Sequence, residues 1–472
     1  MRVLLTTVAL AVSLTFAQAN ELPELGDASA ATLSPAQERA IGYNVMRQIR
    51  ASPAYLDDAE IKDYLDGLGY RLVAVSPDSR QDFSFFALLD NAVNAFALPG
   101  GFIGVHSALL LTSQSESELA AVLSHEIAHV TQRHIARLIA AQQRQGIASM
   151  AAIAVAILAA RSNPQAAAGA IAAAQAQALS NQLAFTRDNE READRVGVQI
   201  LERSGFDPHA MPVFLERLQK ATRVLESGAP VYLRTHPVTY ERIADVQNRT
   251  YALPYRQVPD SLEFQLVRAK LRAMQKDSQQ AVAFFDDLLA DRKYANEAAA
   301  RYGLVESLLR RKNVKRATEE LRTLKALGAA HPMLVSLDAR TQLAAGNRGA
   351  ALAVYAKGLA DYPTRRSLVY EYAALLIDAG RAADANVILE NRMQKDPDDG
   401  RLYELQARAY GSLGNAMMKH RSLAEAYLSV GQLPMAIEQL QLALKNSDGD
   451  FYNVSSIEAR LREIRALSVK QP

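Results

Sequence analysis

The chain lacks cysteine and tryptophan entirely in 472 residues. Without cysteine it can form no disulfide and carry no lipid on an N-terminal cysteine. Lys and Arg total 53 against 51 Asp and Glu, and no base-stacking motif accompanies them, so nucleic acid is not an expected partner. No apolar run reaches the roughly 20 residues that a membrane-spanning helix needs.

The N-terminus is typical of a signal peptide. Arg2 precedes an apolar run from Val3 to Phe16, and residues 17–19 read A-Q-A, an A-x-A cleavage site. A membrane anchor is the alternative, but the run is too short to span a bilayer comfortably. We therefore expect residues 1–19 to be removed. Export without any cysteine favours the bacterial periplasm over animal secretion.

One short motif indicates chemistry, because His125 begins the run H-E-I-A-H. Residues four apart share one face of a helix, so His125 and His129 can bind the same zinc ion. Glu126 lies one step round, where its carboxylate can act as the general base of a zinc protease. Ser115 and Glu118 predict a capping box at the start of this helix. Two core histidines and a surface glutamate on an ordinary helix are the alternative.

A catalytic zinc site needs a third protein ligand and one open position. Residues 189–194 read N-E-R-E-A-D and open a second predicted helix. We assign Glu190 as the third ligand and Asp194, four residues on, as the acceptor for the free N–H of a ligating histidine. Glu192 is interpreted as a surface charge. His134 is the competing ligand, but it falls one residue too early for the three-histidine zincin motif.

Two further segments suit a protease. Residues 94–101 read N-A-F-A-L-P-G-G and predict an edge strand, which can pair with an extended peptide, or else an ordinary hairpin. The expected substrate-binding residues are Asn94, Ala95, Phe96, Ala97 and Leu98. Farther on, residues 234–237 read R-T-H-P before another predicted helix. His236 in this loop could donate to an oxyanion, or could occupy the zinc and block it.

These motifs, in this order over roughly residues 35–250, resemble the gluzincin family that contains the HtpX membrane protease, the mitochondrial Oma proteases and the CAAX prenyl protease. The resemblance implies an α+β metalloprotease domain with a small sheet. It also implies one Zn²⁺ per chain, bound by His125, His129 and Glu190. The implied catalytic residues are Glu126 as general base, with support from Asp194, Arg234 and His236.

An alanine-rich stretch separates the two motif helices. The apolar run Ile147 to Ala160 is followed by a polar break and by Ala166 to Ala178, and neither run is long enough to span a bilayer. We expect residues 147–180 to form a helical hairpin. This hairpin could cover the cleft, contact a membrane surface or pack on a second domain, and a core hairpin is the alternative.

The second half of the chain is periodic. Gly346, Gly380 and Gly414 are spaced by 34 residues, the period of tetratricopeptide helix pairs. Gly431 is out of step and predicts an additional half unit. The same spacing separates a set of alanines expected where helices cross: Ala283, Ala317, Ala351 and Ala385.

The predicted fold is therefore mostly α. We divide the chain into a signal peptide at 1–19, a zinc metalloprotease domain at 20–258 and a tetratricopeptide α-solenoid at 259–472, with the last expected to fold independently.

The combination of export signal, zincin domain and repeats resembles the periplasmic proteases of outer-membrane β-barrel assembly in Gram-negative bacteria. It implies repeats that dock on the barrel-assembly machinery. It also implies a protease with a chaperone-like role, which degrades stalled or misfolded barrel precursors. The alternative is a mainly non-proteolytic repeat scaffold or chaperone for envelope proteins. The intact general base, Glu126, favours the enzyme.

Overall fold

The computed structural model describes residues 33–78, 81–141, 187–224, 232, 236–275, 277–447 and 449–469. The expected signal peptide, the expected hairpin at 147–180 and Arg234 lie outside these residues. The described part is mostly helical with one small sheet, which confirms the predicted fold class. None of its helices is long and apolar enough to cross a membrane.

The N-terminal part surrounds a three-stranded sheet with helices. Its elements in chain order are α1 (Pro35–Ala51), α2 (Ala59–Val73), β1 (Ser84–Leu88), β2 (Ala95–Leu98), β3 (Phe102–His106), α3 (Ser107–Thr112), α4 (Glu116–Thr131), α5 (His134–Ala141), α6 (Arg187–Arg203), α7 (Ala210–Val224) and α8 (Tyr240–Tyr251).

Strand β2 lies at an edge of the sheet. The order is β1-β3-β2, with β3 parallel to β1 and antiparallel to β2. The hairpin turn contains Gly100 and Gly101 at φ +76° and +79°, backbone angles that favour glycine. The segment is thus both the hairpin and the edge strand that the sequence left as alternatives.

Helix α4 runs through the centre of the N-terminal part. All of its residues are buried, and it packs against α6, α7 and β2. Ser115 caps it by accepting the Glu118 N–H at 3.3 Å. The reciprocal half of the predicted capping box is wrong. The Glu118 carboxylate accepts instead from the Gln114 N–H and pairs with Arg217, each at 2.6 Å.

The C-terminal part consists of paired helices. They are α9 (Leu262–Gln275), α10 (Ser278–Ala290), α11 (Glu297–Arg310), α12 (Val314–Ala326), α13 (Pro332–Ala344), α14 (Arg348–Asp361), α15 (Arg366–Asp378), α16 (Ala382–Met393), α17 (Gly400–Ser412), α18 (Ala416–Ser429), α19 (Leu433–Lys445) and α20 (Phe451–Val469). The three glycines at the 34-residue period lie in turns between paired helices at φ +74° to +81°.

The alanine period is correct except in its first unit. Ala317, Ala351 and Ala385 are fully buried, but Ala283 is exposed and the prediction for it is wrong. Ala281 is buried in its place. The physical reason lies one turn further along α10, where the ring of Phe285 packs so closely on Gly303 that any side chain there would collide with it. Ala283 lies two residues before Phe285, about 200° round the helix, and so faces away from this contact.

One hydrophobic core joins the two parts. It extends from α2 and the sheet through α4 and α6 to α9, α11 and α13, and includes the rings of Tyr64 and Phe264, 6.3 Å apart. The predicted boundary at residues 258 and 259 lies in the coil between α8 and α9. The division into domains stays a prediction, and the shared core argues against a repeat array that folds independently.

Ion pairs reinforce this junction. Lys270 of α9 reaches carboxylate oxygens of Asp58 and Glu60, each at 2.5 Å, at the start of α2. Arg366 of α15 pairs with Asp63 at 2.7 Å and with Asp66 on the same helix. Helix α2 therefore contacts both the core of the N-terminal part and the paired helices of the C-terminal part.

Candidate metal centre

Helices α4 and α6 bring the three predicted ligands together. His125 and His129 lie one turn apart on α4, with Nε2 atoms separated by 3.0 Å. Glu190 of α6 places Oε2 3.5 Å from His125 Nε2 and Oε1 3.4 Å from His129 Nε2. All three side chains are at most 3% exposed. The helical period alone puts the histidines side by side, and the packing of α6 on α4 supplies the carboxylate.

His236 completes a group of four. Its Nδ1 lies 3.0 Å from Glu190 Oε1 and 3.3 Å from His125 Nε2, and the four potential ligand atoms lie within 4.8 Å of one another. The sequence left His236 as either an oxyanion donor or a blocking ligand. The structure places its ring within the candidate ligand cluster.

The spacing of these atoms fits a metal ion. A tetrahedral site with metal–nitrogen bonds of about 2.1 Å separates neighbouring ligand atoms by about 3.4 Å; the pairs given above lie 3.0 to 3.5 Å apart, and all four ligand atoms lie within 4.8 Å of one another. Both carboxylate oxygens of Glu126 are buried and accept no hydrogen bond from the described residues. A buried carboxylate without donors needs a polar partner, and a cation with its bound water beside the cluster would supply one.

Asp194 supports the first histidine from behind. Its Oδ1 lies 2.9 Å from His125 Nδ1, so the Nδ1–H donates to the carboxylate and Nε2 faces the cluster. Arg242 of α8 donates to Asp194 through Nε at 2.5 Å and Nη2 at 2.8 Å. Arg242 Nη1 also lies 2.5 Å from Glu190 Oε2, an ion pair without hydrogen-bond geometry. This arginine holds both acids of α6.

Sequence reasoning did not identify Arg242. One signal was present, because Arg242 lies four residues before Val246 and next to Ile243 on the apolar face of α8, and all three are buried. A lone arginine on an apolar helix face requires a buried anionic partner.

These contacts set the charges of the metal-free cluster. Burial would raise the pKa of Asp194, but Arg242 lowers it to about 2. Burial would also raise the pKa of Glu190, but His236 and Arg242 hold it well below its usual value. Burial lowers the pKa of His125, but hydrogen bonds to Asp194 and Glu190 raise it to about 9. Both acids are therefore ionised at neutral pH, as cation ligands and their acceptors must be.

His236 is connected to the residues just before strand β2 through hydrogen bonds of Tyr232. The His236 N–H donates to the Tyr232 carbonyl at 2.7 Å, and the two rings stack with centroids 4.8 Å apart. The Tyr232 N–H in turn donates to the carbonyl of Val93 at 3.3 Å, just before β2. His236 Nε2 lies 3.4 Å from Glu126 Oε1. The ring thus stands between the candidate ligands and the candidate general base.

The predicted substrate residues lie beside the zinc-motif helix. Strand β2 packs on α4, with Ala95 buried and residues 96–98 half-buried. Asn94 is buried and its carbonyl accepts from the His106 N–H at 3.0 Å. Their role in substrate binding stays a prediction.

Glu192 is not the surface charge that the sequence suggested. Its side chain is only 28% exposed, and Oε2 lies 3.2 Å from His134 Nε2 and 2.6 Å from Arg137 Nη2. His134, buried at the start of α5, lies outside the ligand cluster and contacts His129 through Nδ1 at 2.8 Å. Burial lowers the pKa of His134 to about 4. The interpretation of Glu192 was wrong because His134 and Arg137 of α5 contact its carboxylate.

Comparison with known proteins accounts for this arrangement. Residues 59–250 match the model of peptidase family M48, and residues 342–409 match a tetratricopeptide repeat. The chain is 34% identical over 454 residues to the beta-barrel assembly-enhancing protease of Escherichia coli (strain K12), covering 95% of this chain and 92% of that protein. The chain belongs to peptidase family M48.

Other relatives align over different lengths. The beta-barrel assembly-enhancing protease of Yersinia pestis is 32% identical over 448 residues, covering 95% of this chain and 92% of that protein. The mitochondrial metalloendopeptidase OMA1 of Schizosaccharomyces pombe is 32% identical over 187 residues, covering 39% and 51%. This M48 protein is therefore a metalloprotease with tetratricopeptide repeats. The resemblance inferred from the motifs is confirmed.

Proposed function

We propose that this chain is a periplasmic zinc-dependent endopeptidase with a chaperone-like role in outer-membrane β-barrel assembly and quality control, which degrades stalled or misfolded precursors. The observation that carries the proposal is the buried cluster of His125, His129 and Glu190 beside Glu126. The name of the Escherichia coli relative, at 34% identity over most of both chains, supports the biological role. The A-x-A site after the N-terminal apolar run supports export.

One zinc ion per chain is assigned to His125, His129 and Glu190. When bound, zinc supplies a Lewis acid that acidifies water and polarises the scissile carbonyl. Asp194 holds the His125 ring with its Nε2 facing the cluster, Arg242 lowers the pKa of Asp194, and His236 and Arg242 lower the pKa of Glu190. The protein thus supplies ligands whose orientation is held by contacts among the described residues.

Glu126 is assigned as the general base. Because both of its oxygens lack donors among the described residues, the carboxylate can accept a proton from attacking water. It can then give that proton to the leaving amine.

The substrate is proposed to add to the sheet as a further strand beside β2. An edge strand offers unpaired backbone groups to an extended peptide, so binding needs an unfolded segment rather than a particular sequence. The contacting residues are Asn94, Ala95, Phe96, Ala97 and Leu98. This mode suits substrates that have not completed folding. Arg234 is proposed to support catalysis, as the family resemblance implies.

His236 is proposed to keep the resting enzyme latent. Its Nδ1 occupies the ligand cluster and its Nε2 faces Glu126, so the ring fills space that water and a peptide carbonyl require. His236 is hydrogen-bonded to Tyr232, which is hydrogen-bonded to Val93, two residues before β2, so a peptide that binds along that strand can displace the ring. The displaced imidazole could then donate to the oxyanion.

The repeats are proposed to dock on the barrel-assembly machinery, because tetratricopeptide arrays present extended surfaces for protein partners. Residues 147–180 are proposed to contact a membrane surface. Unfolded or stalled outer-membrane proteins are the proposed substrates, and nucleic acid is not a proposed partner.

The test combines metal analysis with digestion of casein, with and without chelator. We expect one zinc per chain and chelator-sensitive hydrolysis. His125→Ala and Glu190→Ala should lose zinc. Glu126→Gln should keep zinc and lose hydrolysis, because an amide cannot accept the proton. Asp188→Asn, at a 92% exposed position at the start of α6, is the matched control and should change neither. Full activity in Glu126→Gln, or its loss of zinc, contradicts the assignment.

A further inference from the structure

His134 packs against the side of His129 that faces away from the ligand cluster. The two Nδ1 atoms are 2.8 Å apart, and the ring planes are nearly perpendicular at 78°. The His134 side chain is fully buried. This contact is shorter than any between the candidate ligands themselves, and the proposed mechanism does not use it.

The backbone between α4 and α5 is shaped to make this contact. Arg133, between the two helices, has a φ of +51°, a left-handed conformation that non-glycine residues rarely adopt. Its side chain donates to the Leu33 carbonyl at 2.6 Å and pairs with Glu38 of α1. Such a conformation persists only where surrounding contacts fix it. Here the left-handed conformation of Arg133 lets α5 begin with His134 in contact with His129.

The hydrogen bonds assign the protons. A hydrogen bond between two imidazole nitrogens holds one proton. His134 Nε2 lies 3.2 Å from Glu192 Oε2, which as a carboxylate only accepts, so His134 carries its proton on Nε2 and accepts through Nδ1. The shared proton therefore belongs to His129 Nδ1. That leaves the lone pair of His129 Nε2 directed at the cluster, as a metal ligand requires.

Glu192 is itself held in place. Arg137, one turn along α5 from His134, donates to Glu192 Oε2 at 2.6 Å. The result parallels the other ligand, whose Nδ1 is held by Asp194 and, behind it, by Arg242. Each histidine of the motif thus has a carboxylate and an arginine behind it. The difference is that His134 is inserted between His129 and its carboxylate.

We propose that His134 is a positioning residue that fixes the tautomer and ring orientation of His129 for zinc binding, with Glu192 as its acceptor. This inference rests on the proposed zinc site. Partners of this kind typically change metal affinity 10- to 100-fold when removed. Their effect should appear in zinc binding itself and not only in hydrolysis.

The test compares two variants of the full chain of similar side-chain size. His134→Leu removes the acceptor. In His134→Asn the amide oxygen can take the place of Nδ1. Zinc affinity is measured by competition with a chromogenic chelator, and the helical content and melting of the metal-free proteins are compared. We expect His134→Leu to bind zinc about 10- to 100-fold more weakly and His134→Asn to recover most of the loss. Equal losses in both variants, or none in either, overturn the proposal.

A second measurement does not depend on variants that fold. In the zinc-loaded wild type labelled with ¹⁵N-histidine, His129 should be protonated on Nδ1 with Nε2 coordinated, and His134 should be protonated on Nε2 alone. A proton on His134 Nδ1 at neutral pH refutes the inference while leaving the zinc site intact. A wild-type chain that takes up no zinc removes the proposed function, and this inference with it.

Discussion

At the scale of single residues, the position of His236 gives two opposite expectations for its removal. Loss of a pure oxyanion donor should cost about a hundredfold in turnover. Loss of a ring that lies between Glu190 and Glu126, 3.0 and 3.4 Å away, should open the site. We expect His236→Ala to raise hydrolysis or to widen substrate choice. Initial rates on casein and on an unfolded barrel protein measure the effect, with zinc content checked in parallel.

His209→Ala is the control for this experiment, since His209 contacts Asp207 and lies outside the ligand cluster. It should leave both rates unchanged. A large and uniform loss on both substrates in His236→Ala removes the latency proposal.

Some contacts of the candidate site could be predicted from local sequence, and others could not. The helical period predicts that His125 and His129 share a face, and likewise that Glu190 and Asp194 do, and the structure brings all four together. Arg242 comes from a helix 48 residues beyond Asp194. No local pattern says which helix crosses the site, so its partner could not be named from sequence.

At the scale of elements, the metal centre depends on how closely α6 approaches α4. Gly197 of α6 lies where an added Cβ would be 3.2 and 3.3 Å from the backbone N and Cα of His125. Backbone cannot give way as a side chain can. We expect Gly197→Ala to push the helices apart and weaken zinc binding. This can occur even though alanine favours the helix by up to about 1 kcal/mol.

Gly67→Ala is the matched control, because Gly67 lies inside α2 with nothing within 4 Å of the added methyl group. It should raise the free energy of unfolding by about 0.5 to 1 kcal/mol and leave zinc binding unchanged. Chelator competition and urea unfolding of both variants separate the two effects. Unchanged zinc affinity in Gly197→Ala would show that the helices relax without cost to the site.

Sequence predicted the elements that local signals define and missed the pairing of distant ones. The Ser115 cap and the edge strand Ala95–Leu98 follow from residues a few positions apart. The parallel pairing of β1 with β3 does not, because β3 lies between two strands that precede it in the chain. Side chains of α1 and α2, which lie earlier in the chain, pack on these strands.

At the scale of the whole molecule, Lys270 couples the protease part to the repeats. It pairs with Asp58 and Glu60 in a largely buried position. Lys270→Met should leave two largely buried carboxylates without their lysine partner and cost about 3 to 5 kcal/mol in the free energy of unfolding at pH 7. Urea unfolding measures this cost. Lys357→Met, which removes an exposed pair with Asp361, is the control and should leave the transition unchanged.

The same pair predicts a pH dependence. Burial would raise the pKa of Asp58, but Lys270 lowers it below its usual value. Its contribution is therefore present above the unfolded pKa of about 3.9 and is lost as the pH falls further. Burial would lower the pKa of Lys270, but Glu60 and Asp58 raise it, so this contribution is lost only in strong alkali. The difference between wild type and Lys270→Met should shrink below about pH 4. A difference that stays constant down to pH 3 contradicts the ion-pair account.

The 34-residue period predicted the array of helix pairs but not its contacts with the N-terminal part. Glycines at a fixed spacing report contacts between neighbouring helices, which repeat along the chain. The register of α10 and the burial of Phe264 against Tyr64 depend on particular contacts outside that repeat. These contacts do not recur, so they leave no period in the sequence.

The shared core has a consequence for how such proteins can be recombined. Helix α2 presents Asp63 and Asp66 to Arg366, and its apolar face to both α4 and α9. A repeat array grafted from a relative would meet this helix with the wrong side chains unless α2 travelled with it. The two parts are therefore not exchangeable modules. A working chimaera of two family members should require its crossover points to flank α2 as well as the coil before α9.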